Sequence, residues 1–121
     1  MLSTLAPTHL QAITLTGGRN ASESALLDAF AQREGKMNQL SALGFAGANH
    51  GHGLAMTQFA HPNMSLQAEW PALEYSSDES QVLDKVRSTI QNQRASKPVA
   101  AVLVEPVNWS TGESMSDALI D

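Results

Sequence analysis

Six apolar residues stand in an unbroken run late in the chain, Val99-Ala100-Ala101-Val102-Leu103-Val104, and Glu105-Pro106 closes the run. A run without polar alternation is typical of a strand buried on both faces, as in a parallel sheet that helices cover on each side. We therefore predict a strand over residues 99–104, inside such a sheet.

Strand and helix patterns alternate in the sequence before this run. Residues 12–16 are rich in β-branched side chains and predict a short strand, and residues 40–45 predict another. Between them, Asn20 with Glu23 forms a helix-start signature, and Gly35 marks the expected stop. The face that this helix should bury consists of Leu26, Leu27 and Phe30.

A second helix is predicted from Asp78, which has Gln81 three residues later. Its apolar stripe consists of Val82, Leu83, Val86 and Ile90. Residues 57–77 contain Pro62, Pro71 and scattered polar residues, and we expect irregular coil there. The order strand, helix, strand, helix, strand predicts one α/β domain over residues 1–121, with right-handed crossovers.

Composition excludes several classes of function. The chain has 121 residues, 12 of them acidic and 7 basic, with a net charge of −5, which argues against a nucleic-acid surface. No run of about 18 apolar residues occurs, so we expect no membrane insertion. The absence of cysteine excludes disulfides, thiol catalysis and thiolate metal sites.

The turn Gly17-Gly18-Arg19-Asn20 lies between a predicted strand and the start of a helix. Free amides and the helix dipole favour an anion at such a place, glycines let a phosphate approach, and Arg19 adds positive charge. A plain tight turn into a helix explains the same residues.

The loop Asn49-His50-Gly51-His52 follows the second strand, at the edge where open α/β sheets place their ligands. Two imidazoles without further ligands make a poor zinc site, so we assign no metal ligands, but the histidines could act as acid–base groups. A polar loop whose histidines bond to the backbone is the alternative. Glu105, at the end of a strand, is expected to face a cleft or to pair with a cation, and the alternative is that it simply terminates the strand.

Five stretches in order resemble class III, pyridoxal-phosphate-dependent aminotransferases of the 4-aminobutyrate type. Residues 5–25 resemble the family segment that ends in a Gly-Ser turn and a helix start, and residues 41–51 resemble its strand and aromatic-His-Gly-Arg loop. Glu69-Trp70-Pro71 and Leu73-Glu74-Tyr75 are similar to its Asp-Trp-Pro and Leu-Lys-Tyr-Pro, and residues 102–106 match its Val-Glu-Pro strand end. The resemblance implies part of the fold type I large domain, a parallel-rich sheet with flanking helices.

The resemblance also implies roles for individual residues. Gly17, Gly18 and Arg19 stand where the family has the turn that holds the phosphate group of pyridoxal phosphate. Asn49 stands where the family has an aromatic ring on the cofactor, and His50 matches directly. For the substrate, the resemblance implies His52, in place of a carboxylate-binding arginine, and Glu105.

Several departures from the family pattern bear on activity. Asn49 cannot stack on a ring, and His52 cannot form the bidentate fork of arginine. The family's aspartate on the pyridine nitrogen and its Schiff-base lysine lie beyond the Val-Glu-Pro strand, and no lysine follows Glu105 here. We therefore assign no catalytic residue and expect the isolated chain to form no covalent cofactor link.

Three functions remain open from the sequence. The first is a partial aminotransferase that is inactive alone. The second is a degenerate enzyme domain that serves as a structural subunit of a larger assembly, mitochondrial by resemblance and cytoplasmic otherwise. The third is a small anion-binding protein. A sheet cut from a larger one leaves open edges, so the first two predict a protein partner, either a second copy or another chain.

Overall fold

The computed structural model describes residues 9, 20–33, 39–53, 56–57, 59, 70–116 and 119, and two helices and three strands can be given bounds within them. In chain order they are α1 (Ala21–Ala31), β1 (Ser41–Phe45), β2 (Ala72–Leu73), α2 (Glu79–Gln93) and β3 (Val99–Val102). The predicted strand at residues 12–16 and the predicted helix stop at Gly35 lie outside the described residues.

The described strands form one parallel sheet in the order β2-β1-β3. Gly44 of β1 aligns with Ala72 of β2, and Ser41 of β1 aligns with Val99 of β3. The predicted α/β class with a parallel sheet is therefore confirmed for this part of the chain.

Strand β1 is the centre of the packing because all five of its residues are buried. Successive side chains of a strand point to opposite faces. Ala42 accordingly joins a cluster with Leu26 and Phe30 of α1, whereas Phe45 joins a second cluster with Val82 of α2. The two helices thus cover opposite faces of the sheet, which gives three layers.

Strand β3 differs from its prediction. We expected residues 99–104 to be buried on both faces, but β3 ends at Val102, and only Val99 of the strand is buried. Val102 and Val104 are 44% and 39% exposed. The physical reason is that β3 has a partner strand on one side only within the described sheet, so its outer edge stays open.

Helix α1 begins after Asn20 as predicted, but the Asn20 side chain makes no capping hydrogen bond. Leu26 and Phe30 are buried as predicted, whereas Leu27 is 48% exposed. The prediction for Leu27 was wrong because adjacent helical residues lie about 100° apart, and Leu26 already occupies the inner face. The helix ends at Ala31, earlier than the Gly35 stop that we expected.

Helix α2 begins as its sequence predicts. The Asp78 carboxylate accepts hydrogen bonds from the Gln81 backbone at 3.2 Å and from the Ser80 hydroxyl at 2.7 Å. Val82 of the predicted stripe is fully buried, and the other three members of the stripe are partly buried. The N-cap signature and the apolar spacing are both confirmed.

The coil prediction for residues 57–77 is confirmed at residues 70–71 and 74–77 and was wrong at the other residues of this stretch that the structure describes. Thr57 and Phe59 are helical, and Ala72–Leu73 forms β2. Phe59 is completely buried, which stabilises its segment through packing. Pro71 does not prevent pairing, because its carbonyl accepts the Gly44 amide at 3.2 Å and its missing N–H is not needed there.

We predict that Gly44→Ala destabilises the protein by about 1–3 kcal/mol, because a methyl group at this buried position overpacks the core. A Cβ on Gly44 would lie 2.5 Å from two ring atoms of Phe59. Chemical denaturation measures the loss. As a control, Gly44→Ala should cost less stability in a Phe59→Leu background, and an equal cost in both backgrounds would contradict the contact.

We also predict that Asp78→Ala lowers the free energy of unfolding more than Asn20→Ala does, because only Asp78 makes a side-chain cap. Bonds from the Ser80 hydroxyl and the Gln81 amide lower the pKa of Asp78 from its ordinary value of 3.8. Because the pKa of Asp78 is lower in the folded state, its carboxylate stabilises the fold at pH values above 3.8. That stabilisation is lost as the pH falls through the folded-state pKa. Denaturation at pH 7 should therefore separate the two variants, and denaturation at strongly acidic pH should not.

Candidate functional site

Residues after β1 and after β3 meet at one edge of the sheet, because parallel strands end on the same side. The Glu105 carboxylate joins them. Its Oε2 atom accepts the Asn49 amide at 3.1 Å, and its Oε1 atom accepts the Trp109 amide at 3.3 Å. Glu105 thus holds the segment that follows β3 to the Asn49 loop, which lies 56 residues earlier in the chain.

The loop after β1 owes its shape to two glycines and an asparagine. Gly47 has φ +77°, and its amide donates to the Phe59 carbonyl at 3.0 Å. Asn49 Oδ1 accepts the Gly51 amide at 3.2 Å, and Gly51 has φ +114°, which other residues rarely adopt. This local turn sets the position of His50 between them.

His50 is half-buried, and its ring meets Phe59 edge-on, with centroids 5.9 Å apart. Burial lowers the pKa of His50 below 6.5, and the nearby negative charge of Glu105 only partly opposes this. Burial therefore favours the neutral imidazole over its charged form. Its Nε2 atom is buried and has no hydrogen-bond partner among the described residues, which is uncommon for a buried polar atom.

An open cavity of about 360 Å³ lies between α1 and β3, with His50 at its wall. This volume is within the roughly 300–1,000 Å³ of small-molecule sites. Ser22 and Leu26 of α1 line one side, and residues 101–104 line the other. Glu105 opens instead onto a cavity of about 30 Å³ beside Phe45, so the two polar groups face different spaces.

Helix α1 also reaches the loop after β1. A Cβ on buried Gly53 would collide with the Glu23 carboxylate. The absence of a side chain at Gly53 therefore leaves room for a side chain from the first turn of α1. The close approach fixes the helix start beside the His50 loop.

The structure brings together only part of the predicted site. Asn49, His50 and Glu105 are neighbours, whereas Gly17, Gly18 and Arg19 lie outside the described residues. His52 is exposed. Their proposed roles toward cofactor and substrate stay predictions.

Sequence reasoning missed several residues of this site. Phe59, which packs against His50, lies in a stretch that we took for coil, and no spacing pattern indicated it. The contribution of Trp109 is its main-chain amide, which no side-chain motif can reveal. Ser22 and Leu26 line the cavity only because α1 packs on the sheet, and the sequence did not show where α1 would pack.

The described residues do not fit a complete pyridoxal-phosphate site. The Asn49 side-chain oxygen accepts the Gly51 amide, and Asn49 offers no ring that could stack on the cofactor. Lys97 precedes β3 and therefore lies at the N-terminal ends of the strands, whereas His50 and Glu105 lie at their C-terminal ends. The Lys97 carbonyl accepts the Ser41 hydroxyl at 2.8 Å. Lys85 is exposed on α2, and Lys36 lies outside the described residues.

The described residues contain no group of three or more His, Asp or Glu residues that could hold a metal ion. No helix among them has the length and apolar character needed to cross a membrane.

Comparison with known proteins found no matching family model, no matching curated protein and no matching solved structure.

We predict that Glu105→Ala costs about 1–2 kcal/mol and increases hydrogen exchange at the Asn49 and Trp109 amides, since both lose their charged acceptor. Glu105→Gln keeps one acceptor oxygen and should release only one of the two amides. Amide exchange measured by NMR distinguishes these outcomes. Unchanged protection in Glu105→Ala would show that the carboxylate does not hold the loops.

Proposed function

We propose that this chain is a segment of a class III, pyridoxal-phosphate-dependent aminotransferase large domain of the 4-aminobutyrate type, and that it cannot transaminate alone. The observation that carries the proposal is the hydrogen bond from the Asn49 amide to Glu105. It joins the Asn-His-Gly loop to the end of the Val-Glu-Pro strand, and these are two of the stretches on which the resemblance depends.

The fold supports the proposal through its order of elements. A helix start, a buried strand followed by a histidine loop, a short strand, a helix and a Val-Glu-Pro strand succeed one another along the chain. The parallel sheet brings both loop ends to the edge where α/β proteins bind ligands. A cavity of suitable volume lies there, between α1 and β3.

The residues of this chain have limited roles in the proposal. Bound pyridoxal phosphate would supply the electron sink for transamination. His50 would line its cavity as a neutral imidazole, and Glu105 would keep the His50 loop in place. The lysine and the aspartate of the family would have to come from additional polypeptide, within a mitochondrial enzyme of this class.

A second function is favoured by a different observation. The described sheet has an open outer edge at β3, and apolar side chains are exposed there and beyond it, as at Val107 (57%) and Trp109 (69%). Such a surface suits a degenerate enzyme domain that serves as a structural or interaction subunit of a larger assembly.

Absorbance spectroscopy with pyridoxal phosphate tests the first proposal. We predict no visible aldimine band and no borohydride-fixed adduct for the isolated chain, because neither of the two described lysines, Lys85 and Lys97, lies beside His50 at the C-terminal ends of the strands. A fixed adduct mapped to Lys36, Lys85 or Lys97 would contradict the inactive-segment proposal. Lys85→Ala and Lys97→Ala serve as matched controls for nonspecific labelling.

The positive part of the proposal is tested by the coding sequence on both sides of the chain. We expect an adjoining open frame, or a separately encoded partner, that supplies an aspartate strand and a lysine. The reconstituted protein should then transaminate 4-aminobutyrate, and replacement of that lysine by alanine should abolish the activity. Reconstituted protein that binds pyridoxal phosphate but transaminates no amine would favour the structural-subunit alternative.

A further inference from the structure

A short hairpin follows β3 and is held together by its own hydrogen bonds. Val107 and Ser114 form an antiparallel bridge. Next to the bridge, the Met115 amide donates to the Pro106 carbonyl at 2.9 Å. Residues 106–115 therefore form a closed unit of their own, which we call the hairpin.

The turn of the hairpin is closed by Asn108. Its Oδ1 atom accepts the Ser110 amide at 2.9 Å and the Thr111 amide at 3.1 Å. Its carbonyl accepts the Gly112 amide at 2.8 Å, and its amide donates to the Glu113 carbonyl at 2.8 Å. These main-chain groups of the turn find partners inside the hairpin, so its shape does not depend on contact with the sheet.

Little of the hairpin is covered by the rest of the protein. Only Asn108 and Met115 are partly buried, and its other residues are exposed. Met115 packs against the buried cluster that contains Phe45, as does Leu119 beyond the hairpin. A cavity of about 30 Å³ lies between Phe45 and the hairpin. Few buried apolar contacts and exposed main-chain hydrogen bonds are typical of segments that open locally.

Two carboxylates tie the hairpin to the rest of the described structure. At its start, Glu105 accepts the Trp109 amide with one oxygen and the Asn49 amide with the other. At its end, Glu79 of α2 accepts the Ser116 amide at 2.9 Å and also the Ser116 hydroxyl. These bonds lower the pKa of Glu79 below 4.5, so the acceptor is ionised at neutral pH. The described residues show no further hydrogen bond that joins the hairpin to the helices or the strands.

We propose that the hairpin is a flap that moves as one body about Glu105 as its pivot, and that the bonds between Ser116 and Glu79 are the latch that keeps it closed. Opening lifts Met115 from its cluster and widens the 30 Å³ cavity at the C-terminal ends of the strands, where open α/β sheets bind ligands. Glu105 also holds the Asn49 loop, so the flap moves beside the candidate site without displacing it. The motion needs neither pyridoxal phosphate nor additional polypeptide, so this proposal and the proposed function fail separately.

Glu79→Asp breaks the latch with little other change. The shorter side chain withdraws the carboxylate from Ser116 but keeps a negative charge in the first turn of α2, where it favours the helix. Glu74→Asp is the matched control, because it makes the same change at an exposed carboxylate with no hydrogen bond to the hairpin among the described residues. Ser116→Ala removes only the hydroxyl donor and provides the same test without any change to α2.

Methionine methyl resonances in an NMR spectrum report on both the flap and the core. Met115 belongs to the flap, whereas Met56 is fully buried in the cluster on the other face of the sheet. Glu79→Asp should move the Met115 resonance toward that of an exposed methionine, with an open fraction about threefold larger or more, and leave Met56 unchanged. Ser116→Ala should cause a smaller shift in the same direction, and Glu74→Asp should cause none.

Amide exchange in the same variants distinguishes a flap that moves from one that unfolds. In Glu79→Asp the Gly112 and Met115 amides should keep their protection, because their acceptors move with them, and so should the Asn49 amide at the pivot. A Met115 resonance that does not respond to Glu79→Asp would overturn the proposal. A shift of Met56 alongside Met115, or loss of protection at Gly112, Met115 or Asn49, would overturn it as well.

Discussion

The burial of β1 is the constraint on which the rest of the structure depends. All five of its residues are inaccessible, so its amides and carbonyls must find partners in the protein and not in water. Strands β2 and β3 supply those partners on either side, and α1 and α2 cover the two faces. The positions of the loops after β1 and β3, and hence the site, follow from this one strand.

The site is held together by charge and hydrogen bonding more than by apolar packing. Glu105 gives one oxygen to each of two loops, and an ionised acceptor makes stronger bonds than a neutral one. His50 is placed by a short turn and by the edge of Phe59. The same carboxylate raises the pKa of His50, while burial lowers it by more, so the electrostatic and packing contributions oppose each other.

Patterns of neighbouring residues predicted local structure correctly, whereas features that depend on residues far apart in the chain could not be predicted from the sequence. The Asp78 cap and the β1 run depend on neighbouring residues, and both were correct. Leu27 and the coil assignment around Phe59 failed, because burial there depends on which elements dock from afar. The proximity of Asn49 and Glu105 followed from the parallel sheet in outline, but the bond between the Asn49 amide and the carboxylate did not.

The pairing of β1 with β3 has a consequence for the order of events during synthesis. The Ser41 hydroxyl bonds to the Lys97 carbonyl, 56 residues later in the chain. At ribosomal rates of roughly 5–20 residues per second, β1 must wait on the order of 3–11 s after its own synthesis before its second neighbour exists. Throughout that interval an apolar strand lies unpaired along one side. Nascent chains of this protein are therefore candidates for chaperone binding between the appearance of Phe45 and that of Val102.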